Sequence, residues 1–113
     1  MLTVKKYDRE HAVEYAENWA LRRNPLFYDF AGTGGDCTSF VSQCIFAGSC
    51  QMNYTPETGW YYLSLQDRAP AWSGVEFLFD FLTSNRGAGP FGSEVGSGEL
   101  LPGDVIQLSL IHI

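Results

Sequence analysis

Apolar positions recur at helical spacing in three stretches of the chain, each with a start or stop signal beside it. The first stretch predicts a helix that begins after Asp8, a favourable N-cap, and ends near Asn24, because Pro25 cannot continue it. Its stripe consists of Ala12, Ala16, Trp19, Ala20 and Arg23. We expect this stripe to face the core.

The second stretch predicts the central helix, over about residues 37–47. Two glycines and an aspartate precede it and indicate a turn, in which Asp36 caps the helix. Gly48 is the expected stop. The stripe predicted to be buried comprises Phe40, Val41, Cys44 and Ile45, and Cys37 stands at its head.

The remaining elements are shorter. Ser73 and Glu76 have the spacing of a capping box, which predicts a helix from there to about Ser84. Residues 55–57 (Thr-Pro-Glu) suit a short helical turn with proline at its first position. Near the end, Leu-Leu-Pro-Gly-Asp indicates a turn, and residues 105–108 are expected to enter a strand.

Residues 48–71 are aromatic but lack a regular period, which is typical of a binding loop. Trp60, Tyr61 and Tyr62 lie in it, and Trp72 follows. An aromatic ring covers apolar area while its polar tip meets ligand or water. Two interpretations therefore stay open, in which these side chains bind substrate or pack over the core.

Composition narrows the functional classes. A chain of 113 residues suits one domain with a real core. The net charge of −6 argues against nucleic-acid partners and anionic membranes, which need a basic surface. No apolar run reaches the roughly 20 residues of a membrane span, and the N-terminal residues as given carry no export signal. Localisation and oligomeric state are not determined by these features.

The three cysteines do not form a recognisable metal or disulfide pattern. Cys37 and Cys44 lie roughly 10 Å apart along one predicted helix, which is too far for a disulfide. No second cysteine–histidine cluster suggests zinc, and the glycine-rich turn lacks the lysine of a phosphate-binding loop, so we expect no metal and no cofactor. We assign Cys44 to the core and leave Cys50 without a role.

Cys37 is the candidate nucleophile. A helix N-terminus carries partial positive charge and free N–H groups, which favour a thiolate and can hold an oxyanion. The alternative is a small buried apolar residue, the usual fate of a free cysteine. The Gly-Gly-Asp turn favours the first interpretation, because it leaves the first helical residue at a surface. Ser39 and Ser42 lie on the same helix without a visible base, which disfavours a serine hydrolase.

Five stretches carry a resemblance to a known family: YAENWALRRNPLFYD, GGDCTSFVSQCIFA, MNYTPETGWY, RAPAWSGVEFLFDFL and PGDVIQL. Together they closely resemble the putative amidase domain of bacterial proteins, a branch of the papain-like cysteine hydrolases near the CHAP and NlpC types. The resemblance implies an α+β papain-like fold, in which N-terminal helices pack on an antiparallel sheet. It also implies hydrolysis of an amide bond in a peptide or peptidoglycan-like substrate.

By the same resemblance, Cys37 is the nucleophile and its own N–H is one oxyanion donor. A histidine from the sheet would activate the thiol, and His112 is the candidate in this chain. However, His112 follows Leu108 too closely for a hairpin to intervene. We therefore interpret residues 1–108 as one truncated amidase domain with an incomplete sheet, and residues 109–113 as a non-native tail to which His112 belongs.

Two other hypotheses are kept. The chain could be a non-catalytic module that holds a glycan or peptide with Trp60, Tyr61, Tyr62 and Trp72. Alternatively, it could be inactive by itself, because an incomplete sheet exposes an open edge and apolar surface. That last hypothesis predicts poor solubility for the 113-residue chain.

Overall fold

The computed structural model describes residues 2–30 and 36–107. Within these residues it is a mixed α+β structure with four α-helices and one small antiparallel hairpin, which confirms the predicted class. The helices are α1 (Arg9–Trp19), α2 (Asp36–Ser49), α3 (Pro70–Ser73) and α4 (Val75–Ser84). The hairpin consists of β1 (Tyr62–Ser64) and β2 (Asp67–Arg68), and a 3₁₀ helix spans Ser97–Glu99.

Helix α1 begins as predicted and ends early. The Asp8 carboxylate accepts a hydrogen bond from the His11 N–H at 3.1 Å, which is the expected cap. The helix ends at Trp19 instead of Asn24, because the chain turns there, with the Arg22 N–H donating to the Trp19 carbonyl at 3.3 Å. Arg23, predicted on the buried stripe, is therefore exposed.

Helices α1 and α2 pack side by side in opposite directions. The Asp8 N–H donates to the Gly48 carbonyl at 2.9 Å, while the turn after α1 lies beside the start of α2. Gly48 does not end α2 as predicted. It lies within the helix, where a β-carbon would collide with the Tyr7 ring, and Cys50 takes the left-handed conformation after the helix, with φ of 55°.

The deepest face of α2 is not the predicted apolar stripe. Phe40, Val41 and Cys44 are only partly buried, whereas the buried residues are Thr38, Ser39, Ser42, Gln43, Ile45 and Gly48. Small side chains let the helix approach the core closely, and their polar atoms find partners there. The Ser42 hydroxyl accepts from Trp60 Nε1 at 3.0 Å and donates to the Trp72 carbonyl at 2.9 Å.

The core is built around two tryptophans. Trp60 and Trp72 are both 0% exposed, with ring centroids 4.9 Å apart. The other buried members of this cluster are Phe30, Ile45, Met52, Tyr62, Ala71, Leu78 and Phe81. The predicted substrate-binding role of Trp60 and Trp72 is thus corrected, because neither ring has a face open to a ligand.

The predicted capping box does not form. Pro70 opens the separate helix α3, and the Ser73 hydroxyl accepts from Arg68 Nε at 3.2 Å instead of capping α4. Gly74 occupies the N-cap of α4 without a side-chain bond. The sequence has the spacing of a capping box, but the hydroxyl of Ser73 is bound to a neighbouring arginine instead.

Of three further local predictions, one is confirmed and two differ from the structure. Residues 56–58 form a turn, with φ of 65° at Glu57, which a helix does not accept. The turn before Asp104 is confirmed, with the Asp104 N–H donating to the Leu101 carbonyl at 3.0 Å. Residues 105–107 do not pair as a strand with any described residue, and Leu108 lies outside the described residues.

Over the described ranges, every helix is too short or too polar to cross a membrane.

Candidate active site

Cys37 lies at the open end of α2, in the first helical turn. Its side chain is exposed, as the turn before it predicted, although that turn itself lies outside the described residues. The first amides of an α-helix have no acceptor within the helix and carry its positive pole. The thiol therefore stands where negative charge on sulfur or on a carbonyl oxygen is stabilised.

A groove with a volume of about 650 Å³ opens beside Cys37. One wall is the turn after α1, residues 19–24, and Phe27 and Tyr28 extend it. The opposite wall is the start of α2 and comprises Asp36, Cys37, Phe40, Val41 and Gln43. A groove of this size is typical of a ligand site.

An ion-pair cluster holds the start of α2 against the turn after α1. Arg23 Nη1 donates to Asp36 Oδ1 at 2.9 Å, and Arg23 Nε lies 3.2 Å from Asp29 Oδ2. Asp36 also accepts from the Phe30 N–H at 3.3 Å. The hydrogen bond from Arg23 is the main cause that lowers the pKa of the Asp36 carboxyl. Asp36, predicted to cap α2, is instead its first helical residue and ties the helix to the preceding chain.

A second network supports the groove from behind. Asn24 Nδ2 donates to the Tyr15 hydroxyl at 3.1 Å, and that hydroxyl donates to Gln43 Oε1. Gln43 in turn donates to the Ser39 hydroxyl at 3.3 Å. Burial is the largest cause that raises the pKa of Tyr15, so the phenol stays protonated and keeps donating. The chain of bonds fixes the position of α2 relative to α1 at Gln43, nearly two turns after Cys37.

The described residues do not provide a histidine near Cys37. His11 lines a separate cavity of about 170 Å³ together with Ala47, at the opposite end of α2. Ten residues of helix place Ala47 about 15 Å from Cys37 along the axis. His11 is exposed and paired with Asp8. His112 lies outside the described residues, so its role stays a prediction.

A model of one protein family, described as a putative amidase domain, matches residues 6–111 of this chain. The chain belongs to this family. It is 38% identical over 104 residues to the uncharacterized protein YhbB of Bacillus subtilis (strain 168), a match that covers 89% of this chain and 32% of that protein. The chain thus spans about a third of the length of this relative. No solved structure matches it, and the papain-like arrangement stays a prediction.

The aromatic side chains at the groove of this amidase-family chain are not the ones predicted. Tyr61 is partly buried against Tyr54, with ring centroids 5.8 Å apart, and does not line the groove. Trp60, Trp72 and Tyr62 are buried, so the hypothesis of a binding module loses three of its four rings. The groove instead has Trp19, Phe27, Tyr28 and Phe40.

The segment Trp-Ala-Leu-Arg-Arg-Asn-Pro contained a usable signal for the missed wall of the groove. Two adjacent arginines before a proline are poor candidates for a buried helical stripe. With Arg23 on the stripe, the helix is expected to continue to Asn24, whereas the segment turns beside the start of α2.

The other cysteines differ from Cys37 in position. Cys44 is only partly buried, in contrast to the predicted core position, and burial raises the pKa of its thiol to about 11. Cys50 is exposed at the far end of α2. All three are free thiols, and among the described residues no group of three or more His, Cys, Asp or Glu side chains is placed to hold a metal ion.

Proposed function

We propose that this chain is a cysteine-dependent amide hydrolase with Cys37 as its nucleophile, acting on a peptide or peptidoglycan-like substrate. The observation that carries the proposal is an exposed thiol in the first turn of α2, on the wall of a ligand-sized groove. Membership of the amidase family supports the reaction class. The substrate class rests on the resemblance to cysteine hydrolases of cell-wall peptides.

The proposed reaction proceeds in two steps. A histidine takes the Sγ proton, and the thiolate attacks the carbonyl carbon of the scissile amide, forming a tetrahedral oxyanion. Amides at the start of α2, including that of Cys37, stabilise the oxyanion. The same histidine protonates the leaving amine, and water then cleaves the thioester. His112 is the candidate base that this chain offers, because His11 lies at the wrong end of α2.

The first test compares two cysteine variants of the full chain. Cys37→Ala should abolish release of amine from peptide amides and from cross-linked cell-wall peptides, because it removes the nucleophile. Cys50→Ser is the matched control, since it also replaces an exposed thiol but at the other end of the helix. Equal activity of Cys37→Ala and the unaltered chain would exclude the proposed mechanism.

A labelling experiment tests the same site without a substrate. Iodoacetamide at pH 8 should label Cys37 first and Cys44 last, because a thiol with a pKa of about 11 is only about one part in a thousand thiolate there. Peptide mapping by mass spectrometry identifies the labelled residue. Equal and slow labelling of all three thiols would count against a reactive nucleophile.

The role of His112 has its own test. If it is the base, His112→Gln should lower kcat by orders of magnitude, as is usual for a general base. If residues 109–113 are a non-native tail, the same variant should leave activity unchanged. Removal of residues 109–113 should then have no effect either, whereas it should inactivate the chain if His112 acts.

A further inference from the structure

Arg22 is a cation on the groove wall that no carboxylate of the described residues neutralises. The charged side chains lining the groove are Arg22, Arg23 and Asp36. Arg23 is occupied by Asp36 and by Asp29. These two arginines and two carboxylates sum to zero charge, but the guanidinium of Arg22 is left without a carboxylate partner among the described residues.

The guanidinium of Arg22 is held in place by two contacts. Its Nε donates to the Asn18 carbonyl at 3.0 Å, and its central carbon lies 5.0 Å from the centroid of the Trp19 ring. The terminal Nη1 and Nη2 groups have no partner within residues 2–30 and 36–107. These groups form the fork that binds a carboxylate through two parallel hydrogen bonds. Because the side chain is already ordered, binding costs less conformational entropy.

We infer that the groove binds an acidic peptide segment, and that Arg22 holds a carboxylate of that segment close to the scissile amide. The position relative to the scissile bond rests on the proposed role of Cys37. Arg22 and Cys37 line the same groove. The carboxylate and the amide that Cys37 attacks therefore belong to one bound segment.

The rest of the groove favours a peptide over a polyanion. Aromatic and aliphatic side chains form about half of its walls, among them Trp19, Phe27 and Phe40. The net negative charge of the chain opposes a ligand with many phosphates. The net negative charge of the chain repels a single carboxylate beside Arg22 less, because charges farther than about 8 Å are screened at physiological salt.

The test measures binding to the full chain carrying Cys37→Ala, which separates affinity from turnover. Two labelled pentapeptide amides, identical except for Glu or Gln at one position, are titrated by fluorescence anisotropy. We expect the Glu peptide to bind about fivefold more tightly, as is typical of an exposed ion pair of about 1 kcal/mol. Adding Arg22→Gln should remove this preference, and Arg22→Lys should retain part of it. Arg86→Gln, which replaces an exposed arginine outside the groove, should leave it intact.

Three outcomes would overturn the inference. Equal binding of the Glu and Gln peptides excludes a carboxylate site, and a preference that survives Arg22→Gln assigns the carboxylate to another group. Tighter binding of a phosphoserine peptide than of the Glu peptide would point to a phosphate ligand. Turnover by the unaltered chain is measured in parallel. Arg22-dependent binding without turnover rejects only the proposed hydrolysis, whereas turnover without a Glu preference rejects only this inference.

Discussion

At the scale of single residues, the Ser42 hydroxyl organises the centre of the core. It is fully buried and bonds to both tryptophans, through the indole of Trp60 and the carbonyl of Trp72. A buried polar group without a partner costs about 1–3 kcal/mol. One small side chain thus satisfies two groups that would otherwise be unpaired in the interior.

Replacement of this hydroxyl should be costly. Ser42→Ala leaves a buried N–H and a buried carbonyl without their partner, and we expect the free energy of unfolding to fall by about 2–4 kcal/mol. Urea denaturation followed by circular dichroism measures the loss. Ser64→Ala, on an exposed position of β1, should be nearly neutral. A loss below about 0.5 kcal/mol for Ser42→Ala would show that the bonds do not stabilise the core.

The same residue shows why hydrophobic spacing misjudged α2. Periodicity located the helix almost to the residue, because Phe40, Val41 and Ile45 mark it clearly. It placed Ile45 correctly in the core but missed that Ser39 and Ser42 are buried more deeply than Phe40 and Cys44, since a serine is counted as polar unless its partners are known. Those partners lie 18 and 30 positions later in the chain, and no local pattern connects them.

At the scale of elements, Gly48 sets how closely α1 and α2 approach. A β-carbon at this position would lie 2.8 Å from the Asp8 carbonyl oxygen and would collide with the Tyr7 ring. The close approach permits the hydrogen bond from the Asp8 N–H to the Gly48 carbonyl. The glycine is therefore required by packing, and not by helix termination as its sequence context suggested.

A single added methyl group should disturb this contact. Gly48→Ala gains helix propensity but forces the start of α1 away, and overpacking of this kind costs about 1–3 kcal/mol. Thermal unfolding compares it with Gly98→Ala, where a β-carbon meets nothing within 4 Å. Stabilisation by Gly48→Ala would mean that the two helices separate freely.

Strands were harder to predict than helices for a related reason. The hydrophobic run after Asp104 has the composition of a strand, yet residues 105–107 are exposed and unpaired among the described residues. A helix satisfies its backbone within its own sequence, whereas a strand depends on a partner elsewhere. The candidate site shows the same difference. Cys37 could be predicted from its neighbours in the sequence, whereas the opposite wall of the groove could not.

At the scale of the whole molecule, the turn at residues 101–104 is tied to the start of α1. The Tyr7 hydroxyl donates to the Gly103 carbonyl at 2.9 Å, and Arg9 bonds to Asp104 at 2.6 Å. This junction lies beside the end of α2, whereas Cys37 lies at its beginning. The contacts between the turn at residues 101–104 and the start of α1 thus lie at the opposite end of α2 from the candidate nucleophile.

The Asp104 junction should make stability depend on pH. A hydrogen bond from the Leu101 N–H, followed by that from Arg9, lowers the pKa of the Asp104 carboxyl below its ordinary value. A lowered pKa in the folded state means that the contribution is present above about pH 4 and is lost as pH falls through the folded pKa. Asp104→Asn should therefore destabilise the chain at pH 6, by less than about 1 kcal/mol because the pair is partly exposed, and by less at pH 3.

Urea titrations at the two pH values measure that difference, with Asp80→Asn on the exposed face of α4 as the control. An effect of Asp104→Asn that is the same at both pH values would show that the charge of Asp104 does not contribute.

The three tryptophans differ in exposure, so their fluorescence reports on two different parts of the molecule. Trp60 and Trp72 are sealed from water and contact each other, so their emission reports whether the core is intact. Trp19 stands partly exposed on the groove, beneath the guanidinium of Arg22. A ligand that draws this guanidinium away changes the surroundings of one indole and leaves the other two untouched. Occupancy of the groove and integrity of the fold are therefore separable in one fluorescence spectrum, without an added dye.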